Sequence, residues 1–320
     1  MRALIIDHVS SVIERNLREY GVEVDVSPLP GREGLKKLLP QYDILIMRVD
    51  PKMDREMLDA AAGSIKMICV CSAGTNHIDL AYAKELGIPV QNAPGINSNA
   101  VAELTISKML DLSRMNVEAN NEVQMEGIFN KYKYTGHELK GHVLGIIGFG
   151  KIGKRVGKLA RAFDMATIAY DPYLEDEVFA SEDTARCATL QNLLEKADYV
   201  TVHTPITPET KNMITTAEFA KMKDGAIVIN CARGGIINED DALAALKEGK
   251  IAGLGLDVLS SEIAGKDLNG NTARLQSPLF GQKGFIISPH TGGSTHEAYD
   301  GIGEFISEKI VERFGLEKQN

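Results

Sequence analysis

No uninterrupted apolar stretch in the 320-residue chain approaches the roughly 20 residues needed to cross a bilayer, so no membrane partner is expected. No basic tract is present either. With 35 Lys and Arg against 44 Asp and Glu, the formal charge of -9 disfavours nucleic acid, whose phosphates require clustered cations. A small local anion site is still compatible with that balance. The N-terminus, Met1-Arg2-Ala3-Leu4-Ile5-Ile6-Asp7, lacks the longer apolar region and cleavage site of a signal peptide. It reads instead as a first strand, and a cytoplasmic location is expected. The four cysteines lack metal-ligand spacing and read as buried structural thiols, so no metal site is expected. Internal repeats and low-complexity segments are missing. What remains is a chain of ordinary globular composition, 44% hydrophobic and 25% charged, and long enough for two domains.

The strongest positive signal is Gly148-Phe149-Gly150-Lys151-Ile152-Gly153, which follows the apolar run His142-Val143-Leu144-Gly145-Ile146-Ile147. Ile152, Val156, Leu159 and Phe163 then recur at helical spacing. Between a strand and a helix, such a segment suits a dinucleotide. Gly148 permits the tight turn, Gly150 lets backbone approach a pyrophosphate, and Gly153 lets the helix pack closely on the sheet. The helix N-terminus, with Lys151 and Ile152, faces the phosphates. A second strand, Ala166-Thr167-Ile168-Ala169-Tyr170, ends at Asp171, about 20 residues past the glycines, where a carboxylate accepts from the adenosine ribose hydroxyls. Pro172-Tyr173-Leu174 follows without an arginine to balance a 2′-phosphate, which favours NAD over NADP.

Short β-type runs alternate with helix-type segments throughout, predicting an α/β fold with doubly wound parallel sheets. The first unit has strands near 3–6, 22–26, 44–47, 67–70 and 89–91. The Pro/Gly-bearing stretch Asn92-Ala93-Pro94-Gly95-Ile96-Asn97 is the expected crossover, after which Ser98 caps a long helix. Residues 120–140 are polar and irregular, and read as an exposed arm suited to another subunit. Six strands are expected in the second sheet, at 143–147, 167–171, 199–202, 226–229, 254–258 and 285–287, completing a Rossmann sheet.

Open α/β sheets bind ligands beyond the carboxyl ends of their strands, and four such ends carry His203, Arg233, Asp257 and His290, with Glu262 in the loop after Asp257. The planar guanidinium of Arg233 suits a carboxylate and can polarise the adjacent carbonyl. His290 can exchange a proton with an alkoxide, and Glu262 within reach would fix its tautomer. Asp257 is suited to the nicotinamide carboxamide. An arginine, a carboxylate and a histidine beside a nicotinamide suffice to reduce a 2-oxo acid.

At these residues the chain resembles the D-isomer-specific 2-hydroxyacid dehydrogenases over nearly its whole length. The segments that carry the resemblance are 73–80 (AGTNHIDL), Asn92-Ala93-Pro94 with Asn97-Ser98, 101–105 (VAELT), 148–153, His203-Thr204-Pro205, Asn230-Cys231-Ala232-Arg233-Gly234, Gly255-Leu256-Asp257-Val258 and 288–295 (SPHTGGST). The resemblance implies that Arg233, Glu262 and His290 are catalytic. It implies a Rossmann NAD domain, 98–290, inserted into a flavodoxin-like substrate domain, 1–97 with 291–320. It implies a homodimer built by the helix and arm, 98–140. It implies that His203, Thr204, Pro205, Cys231, Ala232, Asp257 and Gly292 join the glycine-rich turn in binding NAD. By the same resemblance, Ala73, Gly74 and Asn97 are expected to grip the substrate carboxylate, and Arg48 to face the distal end of the substrate.

Gly292-Gly293-Ser294-Thr295 favours the branch of the family that oxidises 3-phosphoglycerate in serine synthesis. Lys131 aligns with a basic residue that some members bring to the phosphate. Asp50 departs from relatives that carry a second arginine there. The longer relatives add a serine-sensing domain after this core, so feedback control of that kind is not expected here. The alternatives are reduction of glyoxylate, hydroxypyruvate or pyruvate, and an NAD-responsive co-repressor role of the kind some relatives perform.

Overall fold

The computed structural model describes residues 1–28, 30–263 and 275–319. Residues 264–274, within the expected nucleotide domain, and Asn320 lie outside the described residues. The chain divides into two compact units. Among the described residues, the first comprises Met1–Asn97 and the segment from Ser294 onward, and the second the residues from Ser98 to Ile263 and from 275 to Gly293.

The first unit is built on five parallel strands: β1 (Arg2–Ile5), β2 (Glu23–Val26), β3 (Ile44–Met47), β4 (Met67–Val70) and β5 (Val90–Asn92), in the order β2-β1-β3-β4-β5. The central strands read as unbroken apolar runs because both faces are covered; every residue of β3 and β4 is buried. On one face, helix Ser11–Glu19 packs against helix His296–Phe314, where Gly303 lies against Val12 and Ile13. Strand order reverses between β1 and β3, and just past their carboxyl ends stand Asp7 and Arg48.

The second unit carries seven parallel strands: β6 (Val143–Ile147), β7 (Ala166–Tyr170), β8 (Ala185–Arg186), β9 (Tyr199–Val202), β10 (Ala226–Asn230), β11 (Ile251–Leu256) and β12 (Phe285–Ile287). Their order, β12-β11-β10-β9-β6-β7-β8, contains the Rossmann arrangement plus one strand. The sequence reading counted six and missed β8, which has two exposed residues paired only with β7 and therefore leaves no apolar run to detect. β11 begins at Ile251 rather than 254. Its early glycine breaks the β-type pattern, yet Gly253 and Gly255 let helix Ser98–Arg114 approach the sheet: a Cβ there would lie 3.1–3.4 Å from Leu112 and Lys108.

The expected arm is partly regular. Asn116–Asn121 is helical and Glu122–Glu126 forms one wide π-type turn, braced by Glu122 on Lys133 and on Tyr134. Met125, Phe129 and Tyr132 are strongly exposed, at 83%, 78% and 89%. All four cysteines are buried and unpaired.

Candidate active site

The second sheet reverses order between β6 and β9, and the glycine-rich turn lies there. Gly148 has φ +87°, and a Cβ on it would come within 2.9 Å of the His203 carbonyl. Gly153 has no room for a side chain either, since its Cβ would lie 2.2 Å from the Gly148 oxygen. Gly150, which caps helix Lys151–Ala162, faces open space. The turn is thus closed on the protein side and open outward. Asp171 shapes it from the next strand, its Oδ2 accepting from the Phe149 amide at 2.9 Å and its Oδ1 from the Tyr173 amide at 3.1 Å.

Beside the turn, His203 buries both ring nitrogens and Thr204 buries its hydroxyl, with no hydrogen-bond partner among the described residues. Burial pulls the His203 imidazole down to about 3, so it stays neutral. Polar atoms withheld from water beside an open glycine turn fit a dinucleotide that supplies their partners.

Beyond β10, β11 and β12 the loops converge. Buried Asn230 clamps the first: its Oδ1 accepts from the Ala232 amide at 2.9 Å and its Nδ2 donates to the Arg233 carbonyl at 2.9 Å. Arg233 donates from Nη1 to the Ala232 carbonyl at 2.6 Å. Burial draws its guanidinium below the ordinary value, and the Glu262 carboxylate opposes that shift. Gly234 brings this loop against the next one, because any Cβ would sit 2.1 Å from the Leu259 oxygen. Glu262 lies in the short 3-10 turn Ser260–Ile263. Its Oε1 accepts from the Leu259 amide at 2.6 Å and its Oε2 meets His290 Nδ1 at 2.8 Å. With Nδ1 donating to the carboxylate, Nε2 is the ring nitrogen left for proton exchange.

His290 adopts φ +54°, an uncommon conformation for a residue with a side chain, and its amide donates to the Asp257 carbonyl at 2.9 Å. Asp257 enforces the loop. Its Oδ1 accepts from Ser288 Oγ at 2.5 Å and the Thr291 amide at 2.9 Å, and its Oδ2 from the Gly292 amide at 2.8 Å. Fully buried Asp257 therefore already supports the segment that carries His290, a task not foreseen from sequence. Asn230, Gly234 and Ser288 were quoted in motifs without individual roles; only their loop contacts reveal them.

In the first unit, Arg48 lies over the Tyr299 ring at 4.9 Å and donates from Nη2 to Ser294 Oγ at 3.3 Å. Asp7 holds its loop, accepting from the Arg48 and Val49 amides at 3.2 and 3.0 Å. The Ala73 carbonyl accepts from Asn92 Nδ2 at 2.7 Å and the Gly74 carbonyl from Ser72 Oγ at 2.9 Å. Asn97 is half-buried. Burial and the neighbouring Asp7 carboxylate push Asp50 up. Lys131 is exposed in the arm, Cys231 and Ala232 are buried in the loop that leads to Arg233, and Pro205 is exposed beyond β9.

The model of the NAD binding domain of D-isomer specific 2-hydroxyacid dehydrogenases matches residues 106–292. D-3-phosphoglycerate dehydrogenase of Archaeoglobus fulgidus is 36% identical over 97% of this chain and 57% of its own length. Hydroxypyruvate reductase of Thermotoga maritima is 35% identical over 89% of each chain. Among solved structures, the D-lactate dehydrogenase of Aquifex aeolicus complexed with NAD and lactic acid superposes with a TM-score of 0.79 at 26% identity, covering 98% of this chain and 95% of that one. The chain belongs to the D-isomer specific 2-hydroxyacid dehydrogenase family. The matched family model describes an NAD binding domain, and the related Aquifex aeolicus structure was solved with NAD bound. It spans little over half the length of the first curated relatives that it matches, 57% of each. No helix among the described residues is long and apolar enough to cross a membrane.

Proposed function

We propose that the chain catalyses the reversible NAD-dependent oxidation of 3-phosphoglycerate at its 2-hydroxyl, the step that opens serine synthesis. The observation that carries the chemistry is the 2.8 Å contact of His290 Nδ1 with Glu262 beside half-buried Arg233. Arg233 binds the substrate carboxylate through parallel N–H···O bonds and polarises the neighbouring C2–O bond. His290 Nε2 takes the hydroxyl proton in oxidation and returns it in reduction, while Glu262 fixes the ring through Nδ1. Bound NAD supplies the acceptor for the C2 hydride.

Gly148, Gly150, Lys151, Ile152, Gly153, Asp171, His203, Thr204, Pro205, Cys231, Ala232, Asp257 and Gly292 are the residues we assign to the nucleotide side. Ala73, Gly74 and Asn97 are assigned to the substrate carboxylate, and Arg48 and Lys131 to the phosphate. The protein acts as a homodimer through residues 98–140; the exposed apolar side chains of Met125, Phe129 and Tyr132 support that reading, and sedimentation equilibrium tests it.

Relatives named D-3-phosphoglycerate dehydrogenase support the phosphorylated substrate. A second reading, reduction of hydroxypyruvate or glyoxylate, is favoured by Asp50, a carboxyl close to Asp7 that would repel a phosphate. Initial rates of NADH formation or consumption decide between them. The panel is 3-phosphoglycerate, phosphohydroxypyruvate, hydroxypyruvate, glyoxylate and pyruvate. Preference for the phosphorylated pair supports the first reading, preference for the others supports the second, and no turnover rejects both.

A further inference from the structure

Glu262 has to be held on a turn only four residues long, and the structure shows what holds it. Glu239 opens helix Glu239–Lys247, whose first turn is fixed by Asn238 accepting from the Asp240 and Asp241 amides, each at 3.1 Å. One oxygen of Glu239, Oε1, accepts from the Ser260 amide at 2.7 Å and from Ser260 Oγ at 2.5 Å. The other, Oε2, accepts from Ser277 Oγ at 2.8 Å. A single carboxylate thus ties the turn that begins two residues before Glu262 to a second segment, and roots both on a helix. Three donors on one anion make strong, directional bonds.

We propose that Glu239 is a positioning residue for catalysis: it sets the Ser260–Ile263 turn so that Glu262 meets His290. It is not among the residues assigned above to substrate or cofactor. The inference rests on the role proposed above for the Glu262–His290 pair. Without Glu239, the amide and hydroxyl of Ser260 lose their acceptor and the turn is released at its start, leaving Glu262 tied within its own loop only to Leu259. A carboxylate displaced by about 1 Å no longer sets the tautomer of His290 in every turnover, and misplacement of that size can cost up to about 100-fold in rate.

The test is a double-variant cycle on the full chain with NAD and whichever panel acid is turned over best. It measures kcat and KM for E239A, E239Q, E262Q and E239A/E262Q, with NADH affinity from fluorescence titration. The expected result has four parts. E239A lowers kcat by tens of fold while NADH affinity and the KM for NAD stay within about twofold. E239Q recovers most of the loss, because its amide can accept from Ser260 and donate to Ser277. E262Q is slow. The double variant is no slower than E262Q alone, since Glu239 acts only through Glu262.

Multiplying losses in E239A/E262Q, or a wild-type kcat in E239A, overturns the proposal and leaves the Glu262 role intact. A wild-type kcat in E262Q overturns that role and this one with it. If E239A does not fold, Ser260→Ala and Ser277→Ala, each removing one bond to Glu239, replace it in the same cycle.

Discussion

At the residue scale, charge and hydrogen-bond geometry decide which substitutions matter. Arg233 is half-buried near Glu262 and offers a planar fork that lysine cannot reproduce. Arg233→Lys is expected to keep the charge but lose bidentate binding, lowering kcat/KM for the acid by about 100-fold with NADH affinity unchanged; steady-state kinetics and fluorescence titration check this. Asp171 does two things at once, receiving the Phe149 amide and presenting its charge beside the turn. Asp171→Ala should weaken NADH binding by about tenfold and bring NADPH affinity closer to it, as expected for the loss of one charged hydrogen bond and one repulsive charge. Equal losses for both cofactors in the titration would remove Asp171 from cofactor selection. The position of Asp171, at the end of β7 and against the glycine-rich turn, was legible in sequence because strand, turn and acid lie within one βαβ stretch. Asn230, Ser288 and Glu239 were not, since each acts on backbone that only tertiary packing brings close.

Elements were read best where a short, mainly apolar run stood between turn signals. β3, β4, β6, β9 and β12 fall at the residues expected, because short runs dominated by apolar and β-branched residues between turn signals admit little else. β8 escaped because an exposed two-residue edge has no such run, and the turn at Glu122–Glu126 because its bracing partners, Lys133 and Tyr134, lie outside any local window. The loops beyond the strands follow another rule: their separation is set by what is absent from them. Gly234 allows the Arg233 loop to rest on the Leu259 carbonyl, with a Cβ-to-oxygen gap of 2.1 Å that no side chain could tolerate. Gly234→Ala should force the two loops apart and move Arg233 away from Glu262. The expected outcome is a loss of kcat approaching 100-fold. NADH affinity should fall only a few fold, because the Gly148–Gly153 turn sits on other strands. A variant with wild-type kcat would show that the loops accommodate the methyl group and that their close approach is not needed.

At the scale of the molecule, the burial that shapes the nucleotide site also sets how its unit responds to acid. His203 is held neutral down to about 3 by burial alone, whereas an unfolded histidine titrates near 6.5. Between those values the unfolded chain binds a proton that the folded unit refuses, so stability rises with pH in this window and is lost as pH falls through it. The slope from one such group is about 1.4 kcal/mol per pH unit, or roughly 2 kcal/mol between pH 7 and 5. Because two units need not unfold together, the measurement should report the second one directly: hydrogen exchange at the β6 and β9 amides, without cofactor, at both pH values. Wild-type protein should lose about 2 kcal/mol more opening free energy over that interval than His203→Gln, which has no proton to exclude. Equal losses would mean that the imidazole reaches water in the folded unit and accepts its proton there. The buried ring would then no longer be a reserve of unmade hydrogen bonds beside the glycine turn, and the case for His203 and Thr204 as nucleotide contacts would lose its physical basis.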